Sequence, residues 1–362
     1  MTNLLTALNL AYNTQIKAKE RLAIAHSTHL NALPTPCESV LQWHDQSVAW
    51  LNNAPNRFYV SILDSHYSPS LLNLPDPPLI LFGEGHAELL HAQSIGMVGS
   101  RNATQTGLSI ARNMAKAFVE NGWAVVSGLA EGIDGAAHTG ALNGQGPTLA
   151  VLGCGLDHVY PKHHATLAKR IGEEGGLLIS EYPPGTAPQP GFFPRRNRII
   201  AALSDALLVV EAALRSGSLI TARVASTLGR PVFAVPGSIH SPQSRGCHAM
   251  IKQGAGLAET VGDVISEAQA GLAPSKHRPE GYRMLQEEDT LCNALHTPSN
   301  ATHSTFSEFS KKLLKCLSHT PTPVDTLAQK ADLSTEDTLA TLTELELEGM
   351  VLCEAGQRWT RV

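Results

Sequence analysis

The chain has 362 residues, of which 43% are hydrophobic and 16% are charged, and its formal net charge is −5 at neutral pH. This length predicts about two or three domains, and the negative charge argues against a protein that coats nucleic acid with its whole surface. The six cysteines form no CxxC pair, and the sequence shows no metal-ligand spacing, secretion signal or membrane-spanning apolar stretch. We therefore expect a cytoplasmic protein without a metal or a membrane role.

The N-terminal region, residues 1–54, is predicted to be a small helical segment, and its part from Leu4 to Ala25 is typical of one amphipathic helix. Two short strands are expected next, over residues 58–63 and 78–82, joined by a proline-stiffened loop. We assign both strands to a sheet domain that spans residues 55–266.

One pattern recurs between residues 95 and 237. An apolar run stops at a loop of small residues, and a segment of helix length follows. The runs end at Val98, Val126, Leu152, Val210 and Val235. This alternation predicts an α/β fold built on an extended Rossmann-like, doubly wound parallel sheet.

The loops that follow these runs are rich in Gly and Ser. Such loops leave backbone N–H groups open at the strand ends where doubly wound sheets bind ligands, so several in a row suit a ligand with several phosphates. Residues 95–262 also carry 14 Lys and Arg against 10 Asp and Glu, whereas the rest of the chain is net acidic. Neither a GxGxxG nor a GxxxxGK[ST] fingerprint is present, and we expect no cofactor.

The candidate phosphate-binding residues lie in these loops and at the helix starts that follow them. They are Gly99, Ser100, Arg101, Ser127, Gly128, Lys162, Phe193, Arg195, Arg196, Asn197, Arg198, Ser216, Gly217, Ser218, Gly237 and Ser238.

The arginines of this set have two interpretations. Arg101 can hold a phosphate through bidentate hydrogen bonds, or it can pair with a neighbouring acid and only hold its loop. Around Phe193, three arginines stand beside two phenylalanines, which suits single-stranded nucleic acid because charge meets the backbone and rings meet the bases. Alternatively, the phenylalanines fill the core and an arginine makes a structural ion pair. Lys162 is equally well explained as a solvated surface residue.

The C-terminal region is predicted as a linker over residues 267–308 and a compact domain over residues 309–362. Helices are expected at 311–317, after Pro323 and after a cap at Ser334, and a hairpin follows through Gly356. This order predicts a winged helix-turn-helix domain. Its third helix carries acids that would repel phosphate, so we expect a protein-contact or structural role rather than DNA reading. They are Glu336, Asp337, Glu344, Glu346 and Glu348.

Taken together, the motifs between Tyr67 and Val261 resemble those of the DNA-processing protein A family, also called DprA or Smf. In chain order they are Gly99-Ser100-Arg101, Ser127-Gly128-x-Ala130-x-Gly132-Ile-Asp134, Gly155-Leu-Asp157-x-x-Tyr160-Pro161, Ile179-Ser180-Glu181, Phe193-Pro194-x-Arg196-Asn197-Arg198, Ser216-Gly217-Ser218-Leu-x-Thr221-Ala222 and Pro236-Gly237. Where the family usually has Asn, this chain has His163-His164 and His248.

The resemblance implies a non-enzymatic protein of natural transformation and DNA recombination that binds and protects incoming single-stranded DNA. It also implies that the protein helps to load a RecA-type recombinase and forms a homodimer through its Rossmann-like domain. By motif match, the DNA-contacting role is carried over to Arg101, to residues 196–198 and to residues 216–218.

The main alternative is a nucleoside-monophosphate phosphoribohydrolase, which has a similar architecture. Such an enzyme needs a Pro-Gly-Gly-x-Gly-Thr loop followed by a catalytic Glu. The nearest loop here runs from Ser216 to Thr221 and has no Glu after it. Glu181 and Glu211 are the acids that remain, and a capping or packing role is expected for each.

Overall fold

A computed structural model describes residues 2–26 and 33–270 and, nearer the C-terminus, residues 312–313, 316–317, 322–347, 351–354 and 358–361. The chain divides into two compact units, residues 1–286 and 287–362. Most of the predicted linker, from residue 271 onward, lies outside the described residues. Within them, no helix is both long and apolar enough to cross a membrane.

In the first unit, the described residues form a nine-stranded sheet. Its strands are Arg57–Ser61 (β1), Ile80–Gly85 (β2), Ser94–Val98 (β3), Ala124–Ser127 (β4), Thr148–Leu152 (β5), Leu177–Ser180 (β6), Ala206–Val209 (β7), Val232–Ala234 (β8) and Gly256–Leu257 (β9). They are arranged in the order β1-β2-β6-β5-β4-β3-β7-β8-β9. The strands from β6 to β9 in that order are parallel, whereas β1 and β2 add an antiparallel edge. The predicted Rossmann-like architecture is confirmed.

Helices cover both faces of this sheet. They are Gln105–Glu120 (α4), Ile133–Asn143 (α5), Ala165–Glu173 (α6), Phe192–Leu203 (α7), Gly217–Thr227 (α8), Arg245–Lys252 (α9) and Val261–Ala270 (α10). Side chains alternate between the faces along each strand. On β7, Ala206 and Leu208 join the core with α4 and α5, whereas Leu207 and Val209 join the core with α7 and α8. Because both faces are buried, the strands read as continuous apolar runs.

The N-terminal region adds Leu4–Tyr12 (α1), Ala18–His26 (α2) and Glu38–Asn52 (α3). The prediction of one helix from Leu4 to Ala25 is wrong because Asn13 ends the first helix. Its side-chain oxygen accepts from the Gln15 N–H at 2.9 Å, and its amide donates to Asn9 Oδ1 at 2.7 Å. A local side-chain bond of this kind competes with the helical backbone pattern.

The N-terminal helices share a core with the sheet. Leu8 of α1 and Val40 and Trp50 of α3 are buried in the same cluster as Phe82 of β2. The ring of Trp50 meets the ring of Phe82 edge to face, with centroids 6.2 Å apart. The helical segment is therefore packed on the antiparallel side of the sheet.

In the second unit, Val324–Ala331 (α11) and Thr335–Leu347 (α12) precede a hairpin of Val351–Glu354 and Arg358–Arg361. Thr322–Pro323 pairs with the second hairpin strand. Ser334 caps α12 as predicted, because the Asp337 N–H donates to its Oγ at 3.0 Å.

These elements confirm a winged helix-turn-helix. The first predicted helix, 311–317, lies partly outside the described residues. So do the side chains on which the expectation about DNA reading largely rests, Glu336, Glu344, Glu346 and Glu348.

Candidate nucleic-acid interface

The loop after β3 lies where the strand order reverses, which is the usual ligand site of a doubly wound sheet. The Ser100 N–H donates to the carbonyl of Glu211 at 2.7 Å, and the Ser100 Oγ accepts from the Asn102 N–H at 3.1 Å. Gly132 has a φ of +75°, and any side chain there would overlap the carbonyls of Ser100 and Arg101. The loop is thus held by its neighbours, and Arg101 projects from it into solvent.

Arg101 meets an aromatic pair at the surface. Its guanidinium carbon lies 5.6 Å from the centroid of the Phe193 ring, and the Phe193 ring lies 5.3 Å from the ring of Tyr160. Tyr160 is 48% exposed, and Lys162 is exposed two residues later. Within the described part of the chain, Arg101 forms no ion pair. The four residues Arg101, Tyr160, Lys162 and Phe193 form what we call the Arg101 surface.

Tyr160 is a functional candidate that the sequence motifs alone did not select. It enters only as part of the Tyr-Pro motif, because nothing in the sequence shows that its ring packs against Phe193, 33 positions away. The signal that could have found it is the exposed aromatic followed by Lys162, a basic residue beside a ring.

Arg196 lies in the interior and not at the surface. It is 3% exposed, and its Nη1 donates to the carbonyls of Gly128 and Val151 at the ends of β4 and β5. Burial lowers the pKa of Arg196 to about 10, a change opposed by Asp134 and reinforced by the nearby charge of Arg101. Arg196 therefore stays protonated at neutral pH and holds two strand ends together. The expected direct contact of Arg196 with DNA does not fit this position.

Gly128 and Ser127 are also interior. The Ser127 hydroxyl donates to the Met97 carbonyl at 2.6 Å, and the Gly128 N–H donates to Asp134 Oδ2 at 3.1 Å. A side chain at Gly128 would overlap the guanidinium of Arg196. Gly128 is predicted to bind phosphate, but the group that approaches it closely is an arginine of the same chain.

Arg195 and Arg198 take part in a network of ion pairs. Arg198 Nη2 lies 2.7 Å from Glu181 Oε2 and 3.7 Å from Asp76 Oδ2. Arg195 lies 3.2 Å from Asp76 and 3.4 Å from Glu181, and about half of its side chain is exposed. Asn197 Oδ1 accepts from Arg196 Nε at 3.1 Å. A structural ion pair of an arginine was one of the two interpretations of the sequence, and this network contains such pairs. The network connects the start of α7 to the end of β6.

The loops after β7 and β8 lie on the other side of β3 from β4 and β5. Ser216 caps α8, because its Oγ accepts from the Ser218 N–H at 3.3 Å and lies 2.6 Å from the Ser218 Oγ. His248 Nε2 lies 3.3 Å from the Gly237 nitrogen and 3.0 Å from the Gly237 carbonyl oxygen. Gly217, Gly237 and Ser238 are exposed in these loops.

The predicted site residues thus fall into three groups by exposure. The exposed ones are Arg101, Lys162, Arg195, Gly217, Gly237 and Ser238. Those of intermediate exposure are Gly99, Phe193, Asn197, Arg198 and Ser216. The buried ones are Ser100, Ser127, Gly128, Arg196 and Ser218.

Comparison with known proteins agrees with this architecture. Residues 58–269 match the family model "DNA recombination-mediator protein A", and residues 288–357 match the "DprA winged helix domain". The chain belongs to the DNA-processing protein A family. It is 40% identical to Protein Smf of Escherichia coli (strain K12) over 312 residues, which covers 86% of this chain and 79% of that one. It is 45% identical to the DNA processing protein DprA of Streptococcus pneumoniae over 207 residues, which covers 57% of this chain and 73% of that one.

Solved structures of this family give the same result. The X-ray structure of DprA from Streptococcus pneumoniae aligns with a TM-score of 0.60 at 37% identity and covers 74% of this chain and 98% of that one. A DprA structure from Helicobacter pylori aligns with a TM-score of 0.53 at 28% identity and covers 59% of this chain and 96% of that one. The Helicobacter pylori protein is described as having a unique single-stranded DNA binding mode.

Two of the three histidines that depart from the usual DprA sequence, His164 and His248, interact with a backbone carbonyl, whereas His163 lies 3.7 Å from Glu131. His164 Nδ1 lies 2.9 Å from the Leu129 carbonyl oxygen, and His248 Nε2 lies 3.0 Å from the Gly237 carbonyl oxygen. An asparagine amide can donate the same kind of bond. The substitutions are therefore compatible with the loop positions of a DprA fold.

The two acids of the enzymatic alternative have structural partners in this DprA fold. Glu211 accepts from the N–H and the hydroxyl of Thr104, at 2.8 and 2.6 Å, and so caps the start of α4. Glu181 is the buried acid that pairs with Arg198. Both contacts are those expected of a capping or packing role.

Proposed function

We propose that this DprA-family protein binds single-stranded DNA across the carboxyl ends of its parallel strands, at the Arg101 surface. The observation that carries the proposal is an exposed guanidinium, without an ion-pair partner in the described part of the chain, beside the Phe193 ring, which in turn packs on Tyr160. A guanidinium binds the phosphate of a nucleotide, and a ring stacks on its base. Stacking accepts every base, so we expect little sequence preference.

The proposal is tested by the salt dependence of binding. Affinity for a labelled oligothymidine would be measured at several salt concentrations for the wild type and for Arg101→Ala. For single strands, the slope of log affinity against log salt changes by about 0.7 for each phosphate contact that is lost. We expect Arg101→Ala to lower affinity about tenfold or more and to flatten the slope by about that amount.

Lys169→Ala is the matched control, because Lys169 is an exposed cation on α6 that pairs with Glu173 and is not one of the residues of the Arg101 surface. Its removal changes the net charge equally. Equal affinities of Arg101→Ala and Lys169→Ala would overturn the proposed site.

We further propose that the protein acts by binding and not by catalysis. Glu181 and Glu211 support this, because both carboxylates are held by partners of the same chain. Incubation of the protein with AMP is expected to release no free adenine. Adenine release that Glu181→Gln abolishes would contradict the proposal.

The biological role that we propose is the protection of incoming single strands in the cytoplasm during natural transformation and the loading of a RecA-type recombinase onto them. Its support is membership of the DprA family. Recombinase filament growth on single-stranded DNA that is already coated with a single-strand-binding protein would be measured with and without this protein. We expect stimulation by the wild type, and we expect Arg101→Ala to lose most of it.

A homodimer formed through the α/β unit is also proposed. Ile239, in the loop after β8, and Leu257, in the edge strand β9, are large apolar side chains that are exposed. Apolar side chains at an open sheet edge are stabilised when another surface covers them. Light scattering should show a dimer that Ile239→Asp dissociates and that Leu41→Asp, at an exposed apolar position on α3, does not.

A further inference from the structure

A groove next to Arg101 lies between helices that cover the sheet. Its volume is about 680 Å³, and it lies between α4, α5 and α6. Its lining includes Arg101, Asn102, Arg112, His163 and Arg170. We call it the α4–α6 groove. The α4–α6 groove and the Arg101 surface share only one residue, Arg101.

The charge in this groove is positive and only partly compensated. Arg170 makes a bidentate ion pair with Glu174 at 2.7 and 3.0 Å, and His163 lies 3.7 Å from Glu131. Arg112 is exposed and forms no ion pair within residues 2–26 and 33–270. It lies one helical turn after Leu108, and both residues line the groove. Arg112 is thus a second free guanidinium, in the same groove as Arg101.

The helix that faces Arg112 leaves room for a ligand. Gly132, Gly135, Ala136 and Thr139 of the α5 region line the groove, and none of them has a long side chain. The volume falls within the range of about 300–1,000 Å³ that is typical of ligand sites. A flexible single strand can enter a groove of this size.

We propose that the single strand bound at the Arg101 surface continues into the α4–α6 groove, where Arg112 contacts a phosphodiester one or more nucleotides away. The inference rests on the proposed function and deepens it, because it gives the strand a direction across the protein. The path leads from the aromatic pair over Arg101 and along α4. Arg170 also lines this groove, and its charge is shared with Glu174.

The test is a length series of oligothymidines measured against the wild type, Arg101→Ala, Arg112→Ala and Lys169→Ala. An oligonucleotide that fills only the Arg101 surface should bind the wild type and Arg112→Ala equally. Longer oligonucleotides should bind Arg112→Ala about three- to tenfold more weakly, with a salt slope flattened by about 0.7. Arg112→Lys should retain most of the affinity, because a lysine still provides a point charge for the phosphate.

Each outcome separates the groove from the Arg101 surface. If Arg112→Ala matches Lys169→Ala at every length while Arg101→Ala loses binding, the groove is not used and the proposed function stands. If Arg112→Ala weakens short and long oligonucleotides equally, Arg112 acts on the Arg101 surface and the continuation is wrong. If Arg101→Ala binds normally at every length, the proposed function itself fails. Thermal unfolding of each variant shows whether a loss reflects misfolding, and Arg112→Gln offers a second neutral variant.

Discussion

Arg101 lies in the loop after β3 and Arg196 lies on α7, and the structure gives these two arginines opposite environments. Arg101 is exposed over the Phe193 ring. Arg196 is buried, and its guanidinium donates to two backbone carbonyls of different strands. The same residue type thus serves once as the proposed ligand contact and once as an internal support.

The difference shows how the surface depends on the interior. The carbonyls of Gly128 and Val151 lie at the ends of neighbouring strands, where a buried carbonyl needs a donor, and Arg196 donates to both. Glu211 supports the other side, since its carbonyl accepts from Ser100 and its carboxylate caps α4. Buried polar groups hold the strand ends, and the exposed arginine is positioned by the loop that results.

The largest effect is expected from Arg196→Ala. Removing one member of a buried charged network lowers the free energy of unfolding by about 3–5 kcal/mol, because Asp134 loses its neighbouring charge and both carbonyls lose a donor. Urea denaturation followed by circular dichroism would measure it. Arg101→Ala should change the same free energy by less than about 0.5 kcal/mol.

Arg196→Lys sharpens this comparison, because a lysine keeps the charge without the planar fork of the guanidinium. We expect a stability between those of the wild type and Arg196→Ala. If Arg196→Ala unfolds with the wild-type free energy and loses DNA binding instead, the assignment of the two arginines is reversed.

Substitutions in the pair of Phe193 and Tyr160 can distinguish contacts to DNA bases from contacts to phosphates. Phe193→Ala should lower affinity for oligothymidine about five- to tenfold, in line with the loss of one stacked base. Affinity for an abasic oligonucleotide should not change, whereas Arg101→Ala should weaken binding to both. Tyr160→Phe is the conservative control and should bind like the wild type. Equal losses of Phe193→Ala on both oligonucleotides would show that the ring only supports Arg101.

The buried His138 is expected to make the stability of the fold depend on pH. This residue is fully buried, with Nδ1 2.7 Å from Thr148 Oγ1, and burial, reinforced by the charges of His164 and Arg196, lowers its pKa to about 3. A native pKa below that of the unfolded chain, about 6.5, means that protons favour the unfolded state. The contribution of neutral His138 to the free energy of unfolding is complete above pH 6.5 and is lost as the pH falls from there toward 3.

Between pH 7.5 and 5.5, the wild type should therefore lose about 1 kcal/mol of stability more than His138→Gln does. Denaturation of both proteins at the two pH values gives this difference, and other titrating groups cancel in it. Identical losses would show that His138 is not the group responsible.

Much of the fold was predictable because both faces of the sheet are buried. The runs ending at Val98, Val126 and Leu152 are apolar throughout and stop at glycine or serine, and each is a strand at the expected place. By contrast, β9 is only two residues long. Apolar runs this short do not distinguish a strand from a buried turn of helix.

The site was less predictable, because exposure depends on tertiary contacts. Nothing in the order Phe193-Pro-Arg-Arg196 shows which arginine turns inward. That choice is made by carbonyls at positions 128 and 151, which only the pairing of β4 with β5 brings together. The helix break at Asn13 has the same origin, since its amide also donates to the carbonyl of Thr35.

The smallest effect is expected in the winged-helix unit, where Ser334 caps α12. Ser334→Ala removes the acceptor for the Asp337 N–H and should lower the stability of this unit by about 1 kcal/mol. Thr335→Ala, in the same exposed turn, is the matched control and should cost less. Hydrogen exchange of the α12 amides would report the change, and oligothymidine affinity should stay at the wild-type value. A Ser334→Ala variant that loses DNA affinity would instead assign part of the binding surface to the winged helix, because the side-chain bonds of Ser334 to the described residues stay within its own helix start.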